Sequence, residues 1–462
     1  MTYETAIPAF IGYTQRISHN GLSLLHQPKR IQSLKEYEEI FGFAENTIFS
    51  TPHTSGVKIN KTGDRFLIDG AITDPFSALK FRLYYSLQLY YANGGGPCYI
   101  VSCGQTGAAV TPAVADFEKA FDAVQKENEP TLLLMTDALT LSIDEYYGLY
   151  TSKALAQAAC LKNRMVLIDP FVAVTDKGQQ SFADLAPDFR TKIGTHNLSY
   201  GAAYYPWLRT TLPYALDETQ QPIVRGTGVS TAEIPDNAVL RNDATPATSI
   251  YHLNSDLYNI IRKELNTFTI ITPPSPAIAG VYAFVDRTRG VWKAPANVSL
   301  NLVKEPMVQI DDEDQNDMNV TPTGKSVNAI RTFSGKGVLV WGARTLAGND
   351  NEWRYISVRR FFSMVEESLK QSTEPFIFEP NDRDTWSKVR NMIEDFLTHQ
   401  WRAGALQGRK PQEAFFVRIG LGETMTDLDI LEGRLIVEIG MAMIRPAEFI
   451  VARFHHNMVQ TS

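Results

Sequence analysis

Apolar residues in this chain gather in short runs of strand length, and several intervening stretches carry them at helical spacing. Ala9-Phe10-Ile11-Gly12-Tyr13 predicts a short buried strand. Ser33-Leu34-Lys35-Glu36 through Gly42 predicts a capped helix, with Ser33 as N-cap, Glu36 at the capping-box position and Gly42 as the stop. Residues 76–92 place Phe76, Leu79, Phe81, Leu83, Tyr84, Leu87, Leu89 and Tyr90 round much of a helix, which Asn93-Gly94-Gly95-Gly96-Pro97 breaks before the strand Cys98-Tyr99-Ile100-Val101-Ser102. Leu132-Leu133-Leu134-Met135 and Met165-Val166-Leu167-Ile168 add short apolar strands with helical stretches around them, which points to α/β packing. Residues 200–250 are rich in turn formers and predict a less regular outer portion. Asp311-Asp312-Glu313-Asp314-Gln315-Asn316-Asp317 reads as a solvated acidic loop and a boundary.

From about residue 325 the pattern sharpens. Gly337-Val338-Leu339-Val340-Trp341 predicts a strand. Trp353 to Lys370 is helical, with Phe361, Met364, Val365 and Leu369 on one face and a Glu366–Lys370 pair one turn apart. Phe376-Ile377-Phe378 reads as a strand ended by Pro380. Trp386, Val389, Ile393, Phe396, Leu397 and Trp401 trace a helical stripe between a cap at Asn381 or Asp382 and a stop at Gly404. Glu413 to Ile419 predicts another strand. These elements predict a compact α/β domain with a mixed sheet.

The run Arg434 to Ile444 is β-rich, Arg445-Pro446 interrupts it, and Glu448-Phe449-Ile450-Val451-Ala452-Arg453-Phe454 resumes it. Proline cannot donate to a ladder, so Pro446 marks an exit from the first strand. A strand leaving its domain near a chain end needs a sheet edge to complete, its own or a neighbour's. Assembly therefore stands ahead of catalysis as the expected function.

Composition is ordinary for globular protein: 462 residues, 44% hydrophobic and 21% charged, with a net charge of −7. The acidic balance argues against nucleic acid as a partner, because phosphate contacts need clustered Lys and Arg. Cys98, Cys103 and Cys160 are too few for a disulfide framework and lack zinc spacing, so they read as buried thiols of a chain made in a reducing compartment. The N-terminus has no basic and apolar leader, and no apolar run reaches the ~20 residues of a membrane helix; a soluble chain without membrane insertion is expected.

Chemical motifs are incomplete. Gly324-Lys325-Ser326 resembles the end of a phosphate loop, but Asn319 stands where its first glycine belongs. Gly335-Lys336-Gly337 precedes a strand and reads as a turn. The acidic run 311–317 lacks the glycine and the terminal Glu of a calcium loop. The eight histidines show no chelating spacing beyond His455-His456, and strand neighbours point to opposite faces. No nucleophile elbow or zinc-protease helix is present. No cofactor or metal is expected. Arg383, Lys388, Arg390, Arg402, Arg409 and Lys410 gather around the last long helix, interspersed with Asp382, Asp384, Glu394 and Asp395. They read either as a solvated face or as a docking surface for an acidic partner.

Four segments together resemble contractile tail sheath proteins of phage tails and related injection systems: Pro273 to Asn297, Asn328 to Leu346, Glu352-Trp353-Arg354 to Phe378-Glu379-Pro380-Asn381-Asp382, and Gly433-Arg434-Leu435 to Pro446-Ala447-Glu448-Phe449-Ile450. The resemblance runs from about 270 to 454 and is visible again near 9–12, 31–42 and 83–102. It implies an α/β (α+β) multidomain fold whose mixed-sheet C-terminal domain is completed by terminal strands exchanged between subunits. The expected division is 1–20 as N-terminal arm and first strand, 21–270 as outer α/β region, 271–324 as connection, 325–445 as inner C-terminal domain and 446–462 as C-terminal arm.

The implied function is structural: hexameric rings around an inner tube, contracting to drive the tube through a target envelope. Partners would be neighbouring sheath subunits, identical or related, the inner tube protein, and baseplate and terminal cap proteins. The chain would be made and assembled in the cytoplasm and belong to a virion tail or a released tail-like particle. Tyr3, Ile7, Phe10, Glu448, Phe449, Ile450, Val451, Arg453 and Phe454 would make inter-subunit pairs. Residues 383–410 would face the tube through Lys388, Arg390, Arg402, Arg409 and Lys410. The resemblance departs at the start, where family members carry a longer arm than Met1 to Pro8; this suggests a specialised terminal-ring, cap or connector paralogue as the alternative, or else a different linkage between subunits. An α/β enzyme with an unmarked site is the remote one.

Overall fold

The continuous apolar runs form the middle of one large sheet, because parallel strands covered on both faces carry no polar alternation. The computed structural model describes residues 3–172, 174–175 and 178–448. Nine strands build the sheet: β1 (Pro8–Thr14), β2 (Lys29–Ile31), β3 (Cys98–Gln105), β4 (Leu132–Met135), β5 (Met165–Ile168), β6 (Gly201–Tyr205), β7 (Val298–Ser299), β8 (Val327–Phe333) and β9 (Gly337–Val340). Their order is β7-β9-β8-β6-β5-β4-β1-β3-β2. The strands from β8 to β3 in that order run parallel, and antiparallel strands close both margins. Phe10, Leu134, Leu167 and Tyr204 point to one face, and Ile11, Leu133, Ile168 and Ala203 to the other.

The first face is covered by α1 (Leu83–Ala92) and α2 (Ser275–Arg289), which approach closely at Gly280: a Cβ there would lie 2.5 Å from the Tyr90 carbonyl oxygen. Helices Val114–Val124, Ile143–Leu149, Leu155–Leu161 and Phe182–Lys192 cover the second face. Two small three-stranded sheets lie beside this body, and residues 206–250 are largely irregular, in line with their turn-rich sequence.

A second core belongs to α3 (Ile356–Thr373), α4 (Arg383–Arg402) and the antiparallel ribbon of β10 (Phe415–Arg418) and β11 (Glu438–Met441). Phe361, Met364, Val365, Val389, Ile393, Leu397 and Ile419 fill it.

Several expectations change. β8 and β9 belong to the large sheet, so the C-terminal unit begins after them and not at 325. Phe376-Ile377-Phe378 is not a strand, since Pro375 and Pro380 remove ladder donors and Phe378 adopts φ 73°. The C-terminal sheet therefore has two strands among the described residues, packed on two helices. Of the run 434–444, only Glu438–Met441 is strand. The acidic run 311–317 opens a helix, Asp312–Asn319, because Asp311 and Asp314 form a reciprocal capping box. The helix expected over 76–92 begins at Leu83, after a short turn at Pro75–Ala78. Cys98 and Cys103 are buried and Cys160 is exposed. Glu366 faces Lys162 and Arg359, while Lys370 faces Glu367.

Candidate assembly surface

A doubly wound sheet places ligands where strand order reverses. Here the chain passes from β1 to β3 on one side and to β4 on the other, so the crevice lies at the ends of β1 and β4. The protein's own groups fill it. Asp137, fully buried, accepts from the backbone N–H of Tyr13 at 2.7 Å and of Arg82 at 2.6 Å. Arg82 packs its guanidinium over Phe76 and Trp207. A Cβ on Gly12 would lie 2.4 Å from Thr136 Oγ1. Burial pushes the Asp137 carboxyl up to about 6, against the pull of these donors and of Arg82. Beyond β5, Asp169 accepts from Ser275 N at 3.0 Å and Ser275 Oγ at 2.5 Å at the start of α2, and burial pushes it up to about 7. Both carboxyls hold the fold together, Asp137 at the crevice where a doubly wound enzyme would hold its ligand and Asp169 one strand further along the sheet. Among the described residues, no group of three or more His, Cys, Asp and Glu is arranged to hold a metal ion, and no helix is long and apolar enough to cross a membrane.

The open chemistry lies in the C-terminal unit. The β10–β11 ribbon has no third strand among the described residues; the chain just past β11 is bridged by Leu406 at Met443, with Gln407 N donating to the Ala442 carbonyl at 2.8 Å, and the ribbon is otherwise two-stranded there. A cavity of about 560 Å³ lies beside it, walled by Trp353, Phe362, Met441 and Met443. After Met443 the chain turns back over the large body and is pinned at Glu448. That carboxylate accepts from Arg344 Nε at 2.9 Å and Nη2 at 2.5 Å, with side-chain exposures of 19% and 5%. Such charge-assisted paired bonds are the strong kind. The pairing raises the Arg344 guanidinium above its usual range.

The other expected contact residues fall differently. Phe10 is fully buried in a strand whose two edges are taken by β3 and β4 of the same chain, and Ile7 is tied to Thr131. Both are core residues with no edge left to offer a neighbour, which corrects their assignment to an arm. Tyr3 is half-buried: its N–H donates to Ser368 Oγ at 2.8 Å and its hydroxyl to the Asn128 carbonyl, so it staples α3 to the large body. Phe449, Ile450, Val451, Arg453 and Phe454 lie outside the described residues.

On α4, Thr385, Val389, Ile393, Leu397 and Gln400 face inward. The outward stripe carries Asp384, Lys388, Asp395, His399 and Arg402, residues that share a face at 100° per step. Its charges alternate in sign. Arg390 is engaged, donating to the Ile419 carbonyl at 2.6 Å and pairing with Glu423 at 3.2 Å. Arg402 at the helix C-terminus, and Arg409 and Lys410 in the loop beyond it, are exposed without an acidic side-chain partner among the described residues. Sequence reading missed Arg344, Asp286 and Arg360, whose partners are remote in the chain, and Trp292 and Trp341, which line a groove.

Residues 348–457 match the phage tail sheath C-terminal domain family. A 128-residue segment is 25% identical to the tail sheath protein of Vibrio phage KVP40, covering 28% of this chain and 19% of that relative. A chain in the six-fold symmetrised baseplate of the anti-feeding prophage is 30% identical, with a TM-score of 0.64 over 98% of this chain and 94% of that one. A chain of the sheath complex of the PVC extracellular contractile injection system in its contracted state is 28% identical, with a TM-score of 0.64 over 99% and 93%. With its ligand crevice closed, its ribbon open and its likeness to such chains running nearly end to end, this chain belongs to the contractile tail sheath family.

Proposed function

We propose that this sheath subunit stacks with copies of itself as hexameric rings around an inner tube, and that contraction of the stack drives the tube through a target envelope. The observation that carries this reading is the ribbon that has only two strands among the described residues, bridged only just past β11, next to a cavity and to a C-terminal segment anchored at Glu448. An incoming strand from a neighbour completes such an edge with main-chain hydrogen bonds while side-chain slots set register. Residues 446–462 are the donor. The energy of contraction lies in the difference between two packings, and no reaction occurs at this subunit.

The six-fold symmetry of the baseplate that contains a similar chain supports the ring. The tube lies against the C-terminal end of α4 and the loop beyond it, at Arg402, Arg409 and Lys410, with a lesser contribution from Lys388 near the start of the helix. Baseplate and cap proteins bound the stack, which assembles in the cytoplasm and acts as a virion tail or released particle, without nucleic acid as a partner. The similarity to a chain in a baseplate and to a chain in a sheath is nearly equal, and gives the terminal-ring alternative no advantage.

Deleting residues 446–462 tests the reading. The variant should keep the circular dichroism and melting of a folded monomer and form no tubes in negative-stain electron micrographs. Intact tubes from the deleted chain would sink the donor assignment.

A further inference from the structure

The link between α3 and α4, Glu374 to Asp382, holds an aromatic ring where an isolated chain gains nothing from it. Phe378 is wholly exposed, at 103% of its reference area, and its φ of 73° is a region bulky side chains avoid. Ile377 beside it is 60% exposed. The loop is nonetheless built firmly. Pro375 and Pro380 restrict it, Asn381 Nδ2 donates to the Arg434 carbonyl at 3.0 Å, and Trp386 Nε1 donates to Asn381 Oδ1 at 2.6 Å. Glu374 and Glu379 flank the apolar pair, and neither carboxylate has a cationic partner among the described residues. A strained, fixed, solvent-facing aromatic with unpaired acids on either side has the form of an anchor made for another surface.

The complementary surface lies elsewhere on the same chain. A groove of about 580 Å³ runs between Trp292 and Trp341 and carries Arg289, Lys293 and Arg445. None of these three cations has an acidic partner among the described residues, and Glu448 at the groove is already held by Arg344. The indoles are fixed: Trp292 lies against Gly290, where a Cβ would come within 2.4 Å of the ring, and Trp341 packs on Phe333 at 4.5 Å. Rigid aromatic walls and surplus positive charge match a phenyl ring bracketed by carboxylates.

We propose that Phe378 of one copy docks between Trp292 and Trp341 of a second copy, with Glu374 and Glu379 facing Arg289, Lys293 and Arg445. Because anchor and groove are different surfaces, the contact is head-to-tail and propagates into a ring or a helix instead of closing as a two-fold dimer. The proposal rests on the sheath reading only in taking a second copy as the partner.

Two full-length chains in a Cys160→Ser background test it, one carrying Ile377→Cys and the other Ala294→Cys with a size tag, so that Phe378 and the groove cations stay in place. Cys98 and Cys103 are buried and give no background. Mixed at high concentration and oxidised mildly, they should form a reducible heterodimer at least ten times more abundant than either homodimer. Glu379→Arg on the first chain should cut that yield about tenfold, and Arg445→Glu on the second should restore it. Heterodimer no more abundant than homodimers overturns the contact, as does heterodimer that forms only after residues 449–462 are removed, which would make that segment the occupant of the groove. Micrographs of the unmodified chain separate the two readings. Tubes without cross-linking overturn this contact and leave the sheath reading standing; cross-linking without tubes does the reverse.

Discussion

Arg360 on α3 and Asp286 on α2 form a two-pronged ion pair in which both side chains are nearly sealed from solvent, at 6% and 7% exposure, with one bond at 2.8 Å. The pair joins the C-terminal unit to the large sheet body. Aromatic rings surround it: Arg360 lies over Tyr282, and the neighbouring Arg359 stacks on Trp353 at 4.1 Å and faces Tyr200. Ser363 Oγ donates to the Lys162 carbonyl one turn further along. Directional bonds of this kind set the angle between two bodies, which plain apolar contact would leave loose.

Removing one partner of this pair should be far worse than removing both. Asp286→Ala leaves a guanidinium buried without a counter-charge and should lower stability by about 3–5 kcal/mol in denaturant titrations. The double variant Asp286→Leu with Arg360→Met replaces both charges by apolar groups and should recover most of that loss. A double variant as unstable as the single one would mean that the aromatic stacking, and not the ion pair, carries the joint.

Glu448→Gln should free the C-terminal segment without unfolding the protein. A charge-assisted pair of this burial contributes roughly 1.5–3 kcal/mol locally. The expected result is an unchanged global melting transition with faster limited proteolysis beyond Met443, read by mass spectrometry. Arg344→Lys should do the same, because an ammonium cannot reproduce the two-pronged geometry.

How far the sequence carried depends on what each residue needed to know. Leu132 to Met135 and Met165 to Ile168 are legible as strands because burial on both faces leaves an unbroken apolar run. Phe10 is legible as part of a buried strand but not as one with both edges taken, since its cross-strand partners Ile100 and Leu134 lie far along the chain. The basic residues near α4 cluster in sequence, yet helix phase sets Lys388 beside Asp384 and Asp395. Phe376 to Phe378 has strand composition, which the flanking prolines override. The Arg360–Asp286 pair, 74 positions apart, leaves no local signature.

Stability should fall as pH rises from about 4 to about 7. Asp169 is raised from 3.8 to about 7 by burial, so across this window the folded chain holds a proton that the unfolded chain has released. Each unit of separation is worth about 1.4 kcal/mol. Asp137, raised to about 6, adds the same sign over a narrower range. Asp169→Asn should flatten the dependence at little cost, because an amide can accept from Ser275 N and donate to Ser275 Oγ. Asp137→Asn should destabilise, because both its oxygens face N–H donors and an amide nitrogen cannot accept. Melting curves from pH 4.5 to 8 on the three proteins check both statements; a stability that rises with pH would contradict the assignment to Asp169.

Arg402, Arg409 and Lys410 test the proposed contact between α4 and the tube. Arg402 stands in the last turn of α4, where the macrodipole favours positive charge, Arg409 and Lys410 lie in the loop beyond it, and all three are exposed. Each exposed pair they make would be worth only about 0.2–1 kcal/mol, but the proposed ring would repeat it at every subunit, so a small change per copy would grow along the stack. Arg402→Glu with Arg409→Glu should therefore leave the melting temperature within a degree or so and sharply reduce the tube protein that co-purifies with the sheath. Wild-type co-purification should weaken between 50 and 500 mM salt, since exposed charges are screened within a few ångströms at the upper end. Lys388→Glu is the internal comparison. It lies on the same helix between Asp384 and Asp395, so its reversal should have a much smaller effect. Equal losses from Lys388 and from the Arg402–Arg409 pair would move the tube contact from the helix end to its whole outer stripe, and no loss from either would remove α4 from the tube interface.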